Sequence, residues 1–125
     1  MKREEVENLE KVTGQLEGLH REISLLAKKS SNDALNLFKL RMLNSALAAA
    51  NDILAAAYKP IDGFNLFDSD QVTSNSDATV VLAAYLEELE RFRADNISYG
   101  SGSWRYTLDD GGYIQTKIPK RLRVK

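Results

Sequence analysis

Residues 2–29, KREEVENLEKVTGQLEGLHREISLLAKK, carry the strongest structural signal in the chain, because their apolar residues recur at alternating steps of three and four. The six positions concerned are Leu9, Val12, Leu16, Leu19, Ile23 and Leu26, here called the helix 1 seam. This spacing predicts one long helix with a narrow apolar strip of the kind found in coiled coils. Such a strip must be covered by another helix, which belongs either to this chain or to a second molecule.

A second helix is predicted over residues 33–58, after a Ser30-Ser31-Asn32 cap and before Pro60. It is apolar on most of its circumference, which is typical of a central helix contacted from several sides. Its thin polar stripe contains Arg41, Asn44, Ser45 and Asp52. Since this helix is similar in length to the first, we expect it to cover the helix 1 seam as an antiparallel hairpin. An intermolecular coil is the alternative.

The connection over residues 59–76 is long and contains apolar side chains among turn-forming residues. Connections of this kind are functional or anchored by their own side chains, and we expect Phe64 and Phe67 to anchor this one. Ser74 and Asp77 resemble a capping box before a third helix that ends near residue 95. One apolar face of this helix is formed by Leu82, Tyr85, Leu86, Leu89 and Phe92.

The pattern changes to a β-like alternation in the last quarter of the chain. Residues 99–103, YGSGS, are predicted to be a flexible connector before a β-hairpin. With Asp110-Gly111 as a two-residue turn, Leu108 lies opposite Tyr113, Tyr106 opposite Gln115 and Trp104 opposite Lys117. This register predicts a single aromatic face. A lone hairpin is only marginally stable, so we expect that face to pack on the helices.

These patterns together predict a mainly α fold, a three-helix bundle built on a long antiparallel helical hairpin, with a C-terminal β-hairpin and basic tail. Residues 1–98 are assigned to the helical bundle, and residues 99–125 to the hairpin and tail packed on the same single domain. A chain of 125 residues with 43% hydrophobic content can bury a sizeable core without a disulfide or a metal ion.

Composition and motifs exclude several classes of function. The chain has no cysteine, which rules out thiol catalysis and thiolate metal sites and favours the reducing cytoplasm. The mixed charge of residues 1–5 does not fit a signal peptide, and the longest apolar run, residues 46–50, is too short to span a membrane. His20 is the only histidine, and residues 68–73 break the calcium-loop pattern at its third ligand. We therefore predict no catalytic residue, cofactor, metal site or small-molecule substrate.

The charge distribution leaves two hypotheses about function. Residues 59–95 contain eight acidic and three basic residues, whereas residues 96–125 contain two acidic and six basic ones. The first hypothesis is a non-enzymatic interaction protein or accessory subunit, which binds a protein partner or itself through the helix 1 seam or the C-terminal hairpin. The alternative is a nucleic-acid-binding module, in which aromatic rings stack on bases and cations neutralise phosphates. Its residues are Trp104, Arg105, Tyr106, Tyr113, Lys117, Lys120, Arg121, Arg123 and Lys125.

Overall fold

The computed structural model describes residues 1–120 and contains three helices followed by a three-stranded antiparallel sheet. The elements are α1 (Arg3–Lys29), α2 (Leu37–Leu54), α3 (Asn75–Asp95), β1 (Ile97–Gly100), β2 (Ser103–Thr107) and β3 (Tyr113–Thr116). A mainly α chain with a C-terminal β-hairpin is therefore confirmed. The additional strand, β1, lies where the sequence predicts a flexible connector.

The helix 1 seam lies inside the protein core. Five of its side chains are no more than 9% exposed, and Leu26 is partly buried against the same core. α1 packs more extensively against α3 than against α2, which the sequence predicts as its main neighbour. The cover of the seam thus comes from within the chain, and a partner helix could reach these side chains only if they left the core.

α2 is shorter at both ends than the predicted range of 33–58. At its start, the Asn36 Oδ1 accepts a hydrogen bond from the Lys39 N–H at 2.8 Å and caps the helix. The residues before the cap pair instead with the connection that precedes α3, where the Leu35 N–H donates to the Thr73 carbonyl at 2.8 Å. At its end, Ala55 has a φ of 52°, which no residue inside an α-helix adopts.

The connection between α2 and α3 is anchored to the helices by polar and apolar contacts. The Asn44 side chain binds the Phe67 backbone twice: Nδ2 donates to the carbonyl at 2.9 Å, and Oδ1 accepts from the N–H at 3.0 Å. About two turns further along α2, the Asn51 Nδ2 donates to the Asn65 carbonyl at 2.9 Å. The Phe64 and Phe67 rings pack edge to face with centroids 5.0 Å apart, and both lie against the core. The predicted anchoring is confirmed.

The turn between β2 and β3 contains three residues rather than the predicted two. The Gly111 N–H donates to the Leu108 carbonyl at 3.1 Å, and the Leu108 N–H donates to the Gly112 carbonyl at 2.9 Å. Gly111 has a φ of 85°, the left-handed conformation that follows a type I turn in three-residue hairpin loops. The extra turn residue shifts the register by one, so that Tyr106 lies opposite Ile114.

This register divides the aromatic residues between the two faces of the sheet, because a shift of one residue reverses the direction of a side chain. Tyr106 and Leu108 point into the core and are no more than 4% exposed. Tyr113 is exposed on the opposite, outer face, where the Arg105 guanidinium lies 3.8 Å from its ring centroid. The predicted single aromatic face is therefore wrong.

The predicted connector at residues 99–103 contains the end of β1, a two-residue turn and the first residue of β2, and so belongs to a second hairpin. β1 pairs antiparallel with β2, and Ile97 lies opposite Tyr106. Ser101 and Gly102 have φ values of 50° and 85°, and a two-residue type I′ turn requires positive φ at both positions. The boundary assigned between the bundle and the hairpin falls inside β1.

We expect Asn44→Ala to lower the free energy of unfolding by about 1–3 kcal/mol, because it leaves both polar groups of the Phe67 backbone without their partner. The matched control is Ser45→Ala at the next, exposed position of the same helix, which should change stability by no more than about 0.5 kcal/mol. Urea unfolding followed by circular dichroism measures both. Equal stability of the two variants would contradict the anchoring role of Asn44.

Candidate functional site

The residues predicted for nucleic-acid binding do not lie on one surface. Tyr106 is fully buried, whereas Arg105 and Tyr113 lie on the outer face of the sheet. Trp104 points to the other side, where its ring packs edge to face on Tyr99 with centroids 5.6 Å apart. Lys117 and Lys120 are exposed after the end of β3, while Arg121, Arg123 and Lys125 lie outside the described residues.

A cleft of about 470 Å³ lies between α1, α3 and the residues that follow β3. α1 lines it with Glu10, Thr13 and Glu17, and α3 contributes Glu90 and Arg93. Carboxylates and cations therefore meet across this space. Whether the cleft is a binding site depends on how many of these groups are already paired within the chain.

Arg93 is fully engaged inside this cleft. Its Nε and Nη2 bind the Glu90 carboxylate at 2.7 and 2.9 Å. Nη1 donates to the Thr116 hydroxyl and the Lys117 carbonyl, both at 2.9 Å, and Nη2 also donates to the Ile118 carbonyl at 3.1 Å. A guanidinium has five N–H donors, so none remains for a ligand. We call this arrangement the Arg93 clamp, since it fastens the end of β3 to α3.

Burial, hydrogen bonds and nearby charges shift the pKa values of Glu90 and Tyr106 beside the clamp. Burial alone would raise the pKa of Glu90, but hydrogen bonds from Arg93 and the Lys120 N–H, with their positive charges, outweigh it and lower that pKa. Burial and the negative charge of Glu10 raise the pKa of Tyr106 to about 12. Both shifts move the pKa away from neutral pH, whereas general acid–base catalysis favours a pKa near the working pH. The polar groups of the cleft therefore serve to join the end of β3 to α3.

The described part of the chain contains neither a metal-binding cluster nor a membrane-spanning helix. Among residues 1–120, no cluster of three or more histidine, aspartate or glutamate side chains is arranged to hold a metal ion. No helix in the same range is both long and apolar enough to cross a membrane.

The most exposed large side chains of the helices include a row on α2. Phe38 is 72% exposed and Met42 is 47% exposed, and with Ser45 they follow the four- and three-residue steps of one helix face. The α2 outer face is defined as the exposed residues Leu37, Phe38, Arg41, Met42, Ser45, Ala48 and Asp52. It is an apolar strip with one cation and one carboxylate near its ends.

The sequence predicts only part of what defines this surface. The apolar circumference of the second helix predicts contacts on several sides, but it does not tell which side stays uncovered. In the structure, Asn44 and Asn51 hold the following connection along one side of α2, and α1 and α3 cover another. Three residues of the predicted polar stripe, Arg41, Ser45 and Asp52, lie on the uncovered side.

We expect Glu90→Gln to destabilise the protein at neutral pH and to have less effect as the pH falls. Because the Glu90 pKa is lowered in the folded protein, its carboxylate stabilises the fold above the unfolded-state pKa of about 4.3. That contribution disappears as the pH falls through the lower folded-state pKa. Urea unfolding at a series of pH values measures the difference between the two proteins.

The control for this prediction is Glu88→Gln, which removes a more exposed pair with Arg91 on the same helix. Its effect should be small at every pH, since exposed ion pairs contribute little. A Glu90→Gln difference that did not change with pH would show that the carboxylate charge is not what stabilises the clamp.

Comparison with known proteins gives no match: no family model fits this chain, and neither a curated protein sequence nor a solved structure matches it. Any assignment of function therefore rests on the surfaces of the chain itself.

Proposed function

We propose that this protein is a non-enzymatic protein–protein interaction module or accessory subunit that binds its partner through the α2 outer face. The proposal includes a bundle arrangement of the three helices on an α1–α2 hairpin and a cytoplasmic location. The observation that carries it is the exposure of Phe38, whose side chain is 72% accessible on a helix that is otherwise rich in buried leucine.

The composition of the α2 outer face supports this proposal. Aromatic residues and methionine are enriched at protein interfaces, and contiguous exposed apolar surface on a folded chain is a common mark of one. Phe38, Met42 and Ser45 recur at the spacing by which an amphipathic helix presents anchors to a partner. Arg41 and Asp52 add two charges of opposite sign to the strip, and a partner with complementary charges can pair with both.

The helix 1 seam is a weaker candidate for the same role. Leu16 and Ile23 are completely buried, so an interface through the seam requires a conformation in which α1 leaves the core. Exposing a buried leucine or isoleucine costs about 1.5–3 kcal/mol per side chain. The α2 outer face requires no such rearrangement.

We expect Phe38→Lys to abolish partner binding without unfolding the protein, because it replaces the most exposed apolar side chain of the strip with a charge. The matched control is Val80→Lys, which changes a 64% exposed apolar residue on α3 and should leave binding intact. Affinity capture from the native cell, with mass spectrometry and nuclease treatment, compares the wild type and the two variants. Identical sets of captured proteins for all three would contradict the use of the α2 outer face.

The alternative function, a nucleic-acid-binding module, has one observation in its favour. The partly buried Arg105 and the exposed Tyr113 and Gln115 form a polar and aromatic row on the outer face of the sheet, and Lys117 continues it. Each phosphate contact adds about one unit to the slope of log affinity against log salt, so binding through these cations and the basic tail predicts a steep slope. Fluorescence anisotropy with single-stranded and duplex oligonucleotides measures it. No binding at low salt would exclude this alternative.

A further inference from the structure

We infer that the α2 outer face binds the same face of a second copy of this chain, with the two α2 helices antiparallel about a two-fold axis. The inference rests on the proposed function, in which the α2 outer face is the binding surface, and it identifies the partner. It is carried by the positions of the charges on this face and by the absence of a partner for either charge among residues 1–120.

The two charges are placed symmetrically about the centre of the helix. Arg41 and Asp52 are eleven residues apart, about 16 Å along the axis, and the midpoint between them lies between Ala46 and Leu47. In an antiparallel pair centred on that midpoint, Arg41 of each copy lies opposite Asp52 of the other. Such an isologous contact forms each ion pair twice.

The side chains between these charges fit the same arrangement. Phe38, Ser45 and Asp52 recur every seven residues, and Arg41 and Ala48 follow at the intermediate step of three. These are the two core positions of a coiled-coil seam. Around the same midpoint Ser45 lies opposite Ala48 of the second copy, and both are small enough for the two helices to approach closely.

The bulky end of the strip also finds a complementary surface. Phe38 of one copy lies opposite Ala55 of the other, the small, exposed residue directly after the end of α2. A large aromatic side chain thus meets a small, apolar turn instead of another large side chain. The same contact is made at both ends of the pair, because the two-fold axis repeats it.

The two charges are not explained by contacts within the chain. Among residues 1–120, the side chains of Arg41 and Asp52 form no ion pair and no hydrogen bond. Asp52 lies in the last turn of α2, and the helix dipole disfavours a carboxylate there. Arg41 lies beyond the first turn of α2, so the helix dipole does not explain its charge either. A partner that supplies the opposite charges accounts for both residues.

Charge exchange tests the inference, since the variants differ only in the pairs formed between copies. The proteins to compare are the wild type, Arg41→Glu, Asp52→Arg and the double variant Arg41→Glu/Asp52→Arg. Sedimentation equilibrium from about 10 µM to about 1 mM gives the dissociation constant of each. We expect each single variant to weaken dimerisation about tenfold, because like charges face each other twice. The double variant should restore it to within about threefold of the wild type, because opposite charges again face each other.

The controls separate loss of pairing from loss of folding. Both residues are exposed and form no ion pair among residues 1–120, so thermal unfolding should show little change in stability. Arg41 and Asp52 are too far apart on one helix to pair with each other, so rescue by the double variant requires two copies.

Two results would overturn the inference. In the first, the wild type stays monomeric over the whole concentration range; the Phe38→Lys capture then decides separately whether the α2 outer face binds a different protein. In the second, a dimer forms but the four proteins dissociate equally, which places the contact on another surface or in a parallel arrangement with like charges opposed.

Discussion

The burial of one apolar strip along α1 determines where the other elements lie. α1 has 27 residues and α2 has 18, so α2 runs beside only part of α1. Near its C-terminal end α1 meets α2, where Glu22 and Lys39 form an ion pair at 3.2 Å. Near its N-terminal end it meets the sheet, where the Tyr106 hydroxyl lies 3.4 Å from Glu10. The sheet therefore completes the core that α1 forms with α2 and α3. Of these two helices, α3 packs more extensively against α1.

Features fixed by local chemistry are predictable from this sequence, whereas those fixed by distant contacts are not. The start of α3 follows from Ser74, whose hydroxyl accepts from the Asp77 N–H at 3.1 Å. The start of α2 does not, because the Leu35 backbone bonds with Thr73, a partner 38 positions away along the chain. The register error has a local cause: a run of two aspartates and two glycines supports hairpin turns of two or three residues. The two turns differ at Asp110, which needs a positive φ in a two-residue type I′ turn and does not have one here.

The same distinction explains the sites. Apolar periodicity shows how much of α2 seeks burial, but the uncovered side is decided by the carboxamides of Asn44 and Asn51, which hold the following connection. In the sequence Arg93 is an ordinary cation near a helix end. Its role comes from carbonyl groups at residues 117 and 118, which only the folded sheet brings to it. The candidate binding surface is thus the side of α2 that stays uncovered after folding, and a sequence pattern alone does not identify that side.

The Arg93 clamp also has a consequence for the growth of the sheet. β3 is an edge strand, and the free backbone groups of an edge strand can template the addition of a strand from another molecule. The carbonyls of Lys117 and Ile118 would extend that template beyond Thr116, but the guanidinium already occupies them. On this side of the sheet, the edge open to strand addition is therefore confined to the four residues of β3. A side chain on a helix in this way acts as a stop against edge-to-edge aggregation, a role usually filled by charges or proline within the strand itself.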